Sequence, residues 1–138
     1  MIDKFLIEKK IEKTLDYLGE LKQLLIFSDE EISADYLKLH TAERLLQLVV
    51  DEILDINLHI IREQKLISPD DLQSSFKILA DNNSLPQDFA NKIAPVVGLR
   101  NNIVHNYEKL DKNLFLKNLR NNFGDFEKYL ILIKNKFL

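Results

Sequence analysis

One uninterrupted run places the strongest constraint on the fold of this chain. Residues 34–64 contain neither glycine nor proline, the two residues that most strongly interrupt helices. The pattern predicts an amphipathic helix about 45 Å long, at roughly 1.5 Å per residue. Such a helix must bury its apolar face against other elements. The apolar side chains that recur at helical spacing along this run are Leu39, Ala42, Leu46, Val49, Val50, Ile53, Ile60 and Ile61.

Other segments of the chain can cover that face. Residues 2–27 show the same helical spacing, and a last helix is predicted after residues 111–113. A short helix is predicted to begin at residues 68–71, because proline is tolerated in a first turn and aspartates suit its positive end. A fourth segment opens at Pro86 and runs through RNNIVHNY at residues 100–107. We predict an all-α protein, an antiparallel bundle of four main helices plus one short helix.

The composition narrows the class of protein further. The chain has 138 residues, of which 46% are hydrophobic and 30% charged, and this fits a single domain over residues 1–138. It contains no cysteine, which excludes disulfides, thiolate nucleophiles and zinc–thiolate sites. No apolar run reaches the length of a membrane span, and the charged first residues lack the apolar segment of a signal peptide. We therefore expect a cytoplasmic protein without a membrane association.

Charge is distributed unevenly along the chain. The net charge of -3 argues against a protein that coats nucleic acid. Residues 1–108 carry 12 basic and 19 acidic side chains, whereas residues 109–138 carry 7 basic and 3 acidic ones. Two interpretations fit the basic C-terminal part: a strip that attracts phosphate groups, or a helix with a solvated lysine face.

An arginine interrupts the apolar stripe of the fourth segment. On a helical wheel of about 100° per residue, Val97 and Val104 lie within roughly 60° of Arg100. A guanidinium there must be paired or must line a cleft, because burying it unpaired is prohibitive. One interpretation is a structural ion pair to another helix, with Glu43 and Asn57 as candidate partners. The other is a functional site.

Three further polar residues surround that arginine in the sequence. His105 lies about 140° around the wheel from Arg100, whereas Tyr107 returns to the arginine's face. Asn101 and His105, four residues apart, share a face. Arg100 and His105 can share a pocket if the pocket wraps the helix edge, if the helix distorts near its end, or if two subunits meet. A homodimer with these helices at its two-fold axis would satisfy the last condition.

These residue types suit chemistry on a phosphodiester. Histidine moves protons near neutral pH, and arginine binds phosphate oxygens and stabilises added negative charge. Asparagine can orient an imidazole or donate to an oxyanion. Together Arg100, His105 and Asn101 suffice for cleaving RNA without a metal, by attack of the 2′-hydroxyl on the adjacent phosphorus. No second histidine or carboxylate lies at ligand spacing nearby, so we predict neither a metal nor a cofactor.

The motif and two longer segments resemble a known family. RNNIVHNY resembles the R-x4-H-x-Y signature of HepT-like toxins in the HEPN superfamily. ERLLQLVVDEILDINLHIIRE, residues 43–63, is similar to the long second helix of that family, and SPDDLQSSFKILADNNSLP, residues 68–86, to its next short element. The resemblance covers roughly residues 40–112, while the first and last helices match only in kind.

The resemblance implies a specific function. HepT-like proteins are all-α homodimers and metal-independent endoribonucleases, the toxins of type II/VII-like toxin–antitoxin systems with a minimal nucleotidyltransferase antitoxin. Arg100 and His105 would form the active site in a cleft between protomers, with Asn101 in support. Tyr107 would be the hydroxyl to which the antitoxin transfers AMP, silencing the toxin. The alternative is a non-catalytic HEPN module that binds nucleotide or a partner nucleotidyltransferase, and such a module has no need of the proton donor His105.

The remaining histidines and tyrosines receive no function from the sequence. His40 and His59 are expected to be structural or exposed, and His59 projects away from the main apolar stripe of its helix. Tyr17, Tyr36 and Tyr129 lie in ordinary helical patterns.

Overall fold

Helices form every regular element in the part of the chain that the structure, a computed structural model, describes: residues 1–105 and 107–138. The prediction of an all-α bundle is confirmed. None of the helices in these two ranges is long and apolar enough to cross a membrane. The elements are α1 (Lys4–Leu24), α2 (Asp29–Ala34), α3 (Tyr36–Glu63), α4 (Ser74–Asp81), α5 (Gln87–Ile93), α6 (Val96–His105), a short 3₁₀ helix (Tyr107–Lys109) and α7 (Lys112–Phe137).

The long helix predicted over residues 34–64 is α3, and it lies at the centre of the bundle. It begins where the Asp35 side chain accepts the N–H groups of Leu37 and Lys38. Every residue of the predicted apolar stripe is buried. Helices α1, α2, α4 and α6 all pack against α3, which therefore orders the rest of the fold.

Helix α1 runs antiparallel to α3. Lys10 lies 3.2 Å from Glu52, and the N–H of Asp3 donates to His59 Nε2 at 3.0 Å. Residue numbers thus fall along α1 as they rise along α3. His59 is only 4% exposed and accepts a hydrogen bond from the N-terminal cap of α1, so of the two roles expected for it, structural or exposed, the structural one is confirmed. The predicted apolar stripe marks one buried face of α3. Helix α1 covers a second face of α3 that the stripe does not include.

A buried polar network joins α7 to α3 and α4. The Tyr129 hydroxyl of α7 donates to Asn57 Oδ1, and the Asn57 amide donates to Ser75 Oγ at 3.0 Å. Earlier on α7, Arg120 donates to Asp29 Oδ1 at 2.7 Å. Helix α7 is therefore fixed at two points along its length, against α3 and α4 at the first and against α2 at the second.

Two predicted boundaries were wrong, and local chemistry explains both. The short helix begins at Ser74 rather than at residues 68–71, because the Asp71 side chain accepts the N–H of Ser74 ahead of the helix. The fourth segment is divided into α5 and α6 at Pro95, because proline has no backbone N–H to donate to a helical hydrogen bond. Helix α6 ends at His105. Asn106, which belongs to the sequence motif, lies outside the described residues.

Candidate active site

Helix α6 carries the motif across the surface of α3. Its first residues, Val96 and Val97, are each 2% exposed and anchor it in the core, whereas Val104 near its end is 39% exposed. Arg100 contacts Asp51 and Tyr107 contacts Glu43, so the motif and α3 run antiparallel. The buried start of α6 therefore holds the polar end of the helix against α3.

Arg100 is held by two hydrogen bonds. Its Nε donates to Asp51 Oδ1 at 2.9 Å, and Nη1 donates to Asn101 Oδ1 at 3.1 Å. The ion pair to another helix exists, but neither candidate partner was right. Glu43 contacts Tyr107 instead, and Asn57 belongs to the buried network below α7. Within the described residues these contacts use two of the five guanidinium N–H groups.

Arg100 and His105 line the same cleft. Its volume is about 400 Å³, and the segment before α4 forms the opposite wall. The cleft wraps the edge of α6, the first of the three arrangements that the helical wheel left open. Convergence of these residues therefore needs no second subunit. The lining residues are Asp71, Leu72, Gln73, Val97, Arg100, Asn101 and His105.

The chemistry of this cleft follows from its lining. One cation, one imidazole and the two carboxamides of Gln73 and Asn101 meet beside a single carboxylate, Asp71. Arg100 is 18% exposed at its side chain and His105 is exposed, so both can reach a ligand in the cleft. Among residues 1–105 and 107–138, no three histidine or carboxylate side chains come together as a metal site. The segment containing Asp71 was missed as part of the site, because nothing in its own pattern marks a cleft wall.

Tyr107 lies apart from that cleft. It belongs to the 3₁₀ helix after α6 and, like Arg100, it contacts α3. Its ring is 43% exposed, and its hydroxyl donates to Glu43 Oε1 at 3.2 Å. Desolvation raises the pKa of Tyr107 above its usual value of 10.0, and the negative charge and hydrogen bond of Glu43 raise it further.

A histidine and a glutamate that were given no role in the site surround the Tyr107 hydroxyl. His40 Nδ1 lies 2.8 Å from Glu43 Oε1 and 3.3 Å from the Tyr107 hydroxyl. The His40 ring lies between the rings of Tyr36 and Tyr107, with centroids 6.3 Å and 6.1 Å away. The sequence did contain an indication of this cluster, because Glu43 is a carboxylate on the apolar stripe of α3 and lies three residues from His40.

The sequence matches the family described as Ribonuclease HepT-like over residues 14–133. The chain belongs to this family. The resemblance inferred from the motif is thus confirmed.

Relatives of this HepT-like chain are described as nucleases. It is 35% identical over 89 residues to the mRNA nuclease HepT of Shewanella oneidensis, a match that covers 64% of this chain and 67% of the relative. It is 33% identical over 112 residues to the tRNA nuclease HepT of Aphanizomenon flos-aquae, covering 81% and 76%.

A solved structure shares the fold. The tri-AMPylated Shewanella oneidensis HEPN toxin, in complex with an MNT antitoxin, superimposes with a TM-score of 0.87 at 28% identity. The match covers 94% of this chain and 97% of the toxin chain. The HEPN-like fold predicted from the motif is therefore confirmed.

Proposed function

We propose that this HepT-like protein is the toxin of a toxin–antitoxin pair, a metal-independent endoribonuclease that acts in the cytoplasm. The observation that carries the proposal is the meeting of Arg100, Asn101 and His105 in one cleft. The relatives described as mRNA and tRNA nucleases support RNA as the substrate.

Each of the three side chains has a distinct task in the proposed reaction. The 2′-hydroxyl oxygen of the substrate attacks the adjacent phosphorus, and the bond from phosphorus to the 5′-oxygen breaks. His105 transfers the proton that accompanies this step. Arg100 binds the phosphate and stabilises the charge that builds on its oxygens, since its ion pair with Asp51 engages only Nε. Asn101 holds the guanidinium in place through Nη1.

The proposal includes silencing by AMP. The structural relative is described as tri-AMPylated and bound to an MNT antitoxin, which supports a nucleotidyltransferase as partner and a hydroxyl of this chain as acceptor. We assign the acceptor to Tyr107, whose hydroxyl is accessible on a 43% exposed side chain. Glu43 and Asp51, the contacts of Tyr107 and Arg100, are eight residues apart on α3, or about 12 Å. Adenylate on Tyr107 would extend over this distance toward the cleft.

A homodimer also belongs to the proposal, on the basis of the family. Because Arg100 and His105 line one cleft within a single chain, the dimer is not required to assemble them. The second protomer would instead enclose the exposed end of α6. Light scattering distinguishes a dimer of about twice the 16.2 kDa chain mass from a monomer.

Cleavage of a labelled RNA by purified variants tests the function. His105→Ala is expected to lower the cleavage rate about 10²–10⁴-fold, the usual loss when a proton-transfer group is removed. Arg100→Ala is expected to lower it about 10²–10³-fold, the usual loss when a donor that stabilises charge in the transition state is removed. Cleavage by the unaltered protein should persist in EDTA. Arg44→Ala is the matched control, because Arg44 is exposed on α3 and lines no part of the cleft.

Three outcomes would contradict parts of this account. Full cleavage by His105→Ala would favour the alternative, a non-catalytic module that binds nucleotide or a partner nucleotidyltransferase. Unfolding of Arg100→Ala would show that the ion pair with Asp51 is the main task of Arg100. Loss of cleavage in EDTA would exclude the metal-independent reaction.

A further inference from the structure

The buried carboxylate of Glu43 lies outside the cleft and has no role in the proposed RNA cleavage. Glu43 lies on the apolar stripe of α3 and is only 4% exposed. Burying a carboxylate costs free energy unless hydrogen bonds or charges compensate it. Among the described residues, Glu43 Oε2 is buried without any hydrogen-bond partner, and Oε1 carries all of the contacts. A carboxylate arranged in this way calls for an explanation beyond packing.

The hydrogen bonds around Glu43 have a consistent direction. The Tyr107 hydroxyl donates to Oε1 at 3.2 Å, and His40 Nδ1 lies 2.8 Å from the same oxygen. A carboxylate oxygen can accept both bonds when His40 carries its proton on Nδ1. The His40 side chain is 55% exposed, so it lies at the surface beside the buried carboxylate. A proton can therefore pass from the phenol to Glu43 Oε1, while the Nδ1–H of His40 holds that carboxylate in place.

The Tyr107 phenol needs such a path if it is to act as a nucleophile. Its pKa is raised by desolvation and by Glu43, so the hydroxyl keeps its proton at neutral pH. A protonated hydroxyl is a weak nucleophile, and an adjacent base that removes the proton during attack activates it. Glu43 Oε1 is already within hydrogen-bond reach of that proton.

We propose that Glu43 is the general base for transfer of a nucleotidyl group to Tyr107, with His40 positioning Glu43 through its Nδ1–H. This inference rests on the proposed function, in which Tyr107 accepts AMP. The Tyr107 oxygen forms a bond to the α-phosphorus of a nucleoside triphosphate held by the partner nucleotidyltransferase. The bond from that phosphorus to the bridging oxygen breaks, and pyrophosphate leaves with the electron pair. The phenolic proton moves to Glu43 Oε1.

The same arrangement selects one tyrosine out of four. Tyr129 is fully buried and donates to the neutral amide oxygen of Asn57. Tyr36 is 69% exposed, but among the described residues its hydroxyl contacts no carboxylate. Tyr107 combines an accessible hydroxyl with a carboxylate acceptor. The toxin chain would thus supply part of the machinery that silences it.

The rate of AMP incorporation measures the contribution of Glu43. The chain is incubated with an MNT nucleotidyltransferase, ATP and Mg²⁺, and intact mass is followed over time. Glu43→Gln keeps the shape of the side chain and removes the base, so transfer should slow about 10²–10⁴-fold. Glu52→Gln is the matched control, since Glu52 lies on the same helix and pairs with Lys10 of α1. Transfer to Glu43→Gln at the wild-type rate would overturn the assignment.

The pH dependence separates a base from a packing residue. Without Glu43, the rate should rise about tenfold per pH unit below the phenol pKa, because hydroxide must then remove the proton. A purely structural loss would lower the rate without this steeper slope, and that result would contradict the inference.

A second variant tests the inference if Glu43→Gln fails to fold. His40 is exposed, so His40→Gln disturbs little of the core. It removes one hydrogen bond to a charged group and should slow transfer about 10–100-fold. A wild-type rate in His40→Gln would contradict the role of the pair. Absence of AMP on the unaltered chain would refute the modification itself, whereas equal rates in unaltered and Glu43→Gln chains would refute this inference alone.

Discussion

Arg100 combines a structural contact with a position in the candidate active site. Its Nε and Nη1 bind Asp51 and Asn101, and these two contacts turn the guanidinium toward the cleft. The ion pair with a carboxylate and the hydrogen bond to the neighbouring amide both restrict rotation of the guanidinium. Asn101 thus helps to orient the guanidinium, and it needs no reactive group of its own to do so.

Asn101 provides a test of that orientation. Asn101→Ala removes a hydrogen bond to a charged group, which contributes about 1.5–3 kcal/mol, so RNA cleavage should fall about 10–100-fold. Asn102→Ala is the matched control, because Asn102 is the next residue of α6, is exposed and lines no part of the cleft. Equal rates for the two variants, measured under identical conditions, would refute the positioning role.

The sequence predicted the unusual residue but not its contacts. Arg100 stood out because a cation on an apolar stripe needs a partner. Its partner depends on where α6 crosses α3, and the helical wheel of one segment contains no such information. Asp51 and Glu43 are both acidic residues of α3, and only the antiparallel placement of the two helices assigns Asp51 to Arg100 and Glu43 to Tyr107.

At the scale of elements, long periodic patterns were predicted well and their ends were not. The apolar stripe of α3 extends over many turns, so the helix follows from the sequence. The end of α6 at His105 and the break at Pro95 depend on single turns, where local hydrogen bonds compete with the helix. The end of α6 matters for the site, because it places Tyr107 in the 3₁₀ helix that follows rather than in α6 itself.

The contact between α7 and α3 yields a prediction about stability. The Tyr129 hydroxyl is fully buried and donates to Asn57 Oδ1, so Tyr129→Phe leaves a buried acceptor without this partner. The free energy of unfolding should fall by about 1–3 kcal/mol. Tyr17→Phe serves as the control, because Tyr17 is only half-buried. Urea denaturation of the two variants measures the difference, and an equal effect of both would contradict a structural role for the network.

At the scale of the whole molecule, one long helix connects two sites with different chemistry. Arg100 lines the cleft and contacts Asp51 of α3. Tyr107 contacts Glu43, about two turns away on the same helix. The first site is suited to bind a phosphate of the substrate, and the second to accept a phosphate. In the proposed function, a negative adduct at the second site would compete with the substrate for the cation at the first.

This coupling is tested by removing the acceptor alone. Tyr107→Phe keeps the ring that packs near His40, with centroids 6.1 Å apart, and removes the hydroxyl. The variant should keep part of its RNA cleavage and should lose its response to the nucleotidyltransferase and ATP, because the adduct has no oxygen on which to form. Tyr36→Phe is the control, since Tyr36 is an exposed tyrosine on the other side of His40 and should be silenced normally. Cleavage assays combined with intact mass distinguish the outcomes. If Tyr107→Phe still gains AMP and is still silenced, another hydroxyl is the acceptor, and Tyr107 contributes only packing beside Glu43.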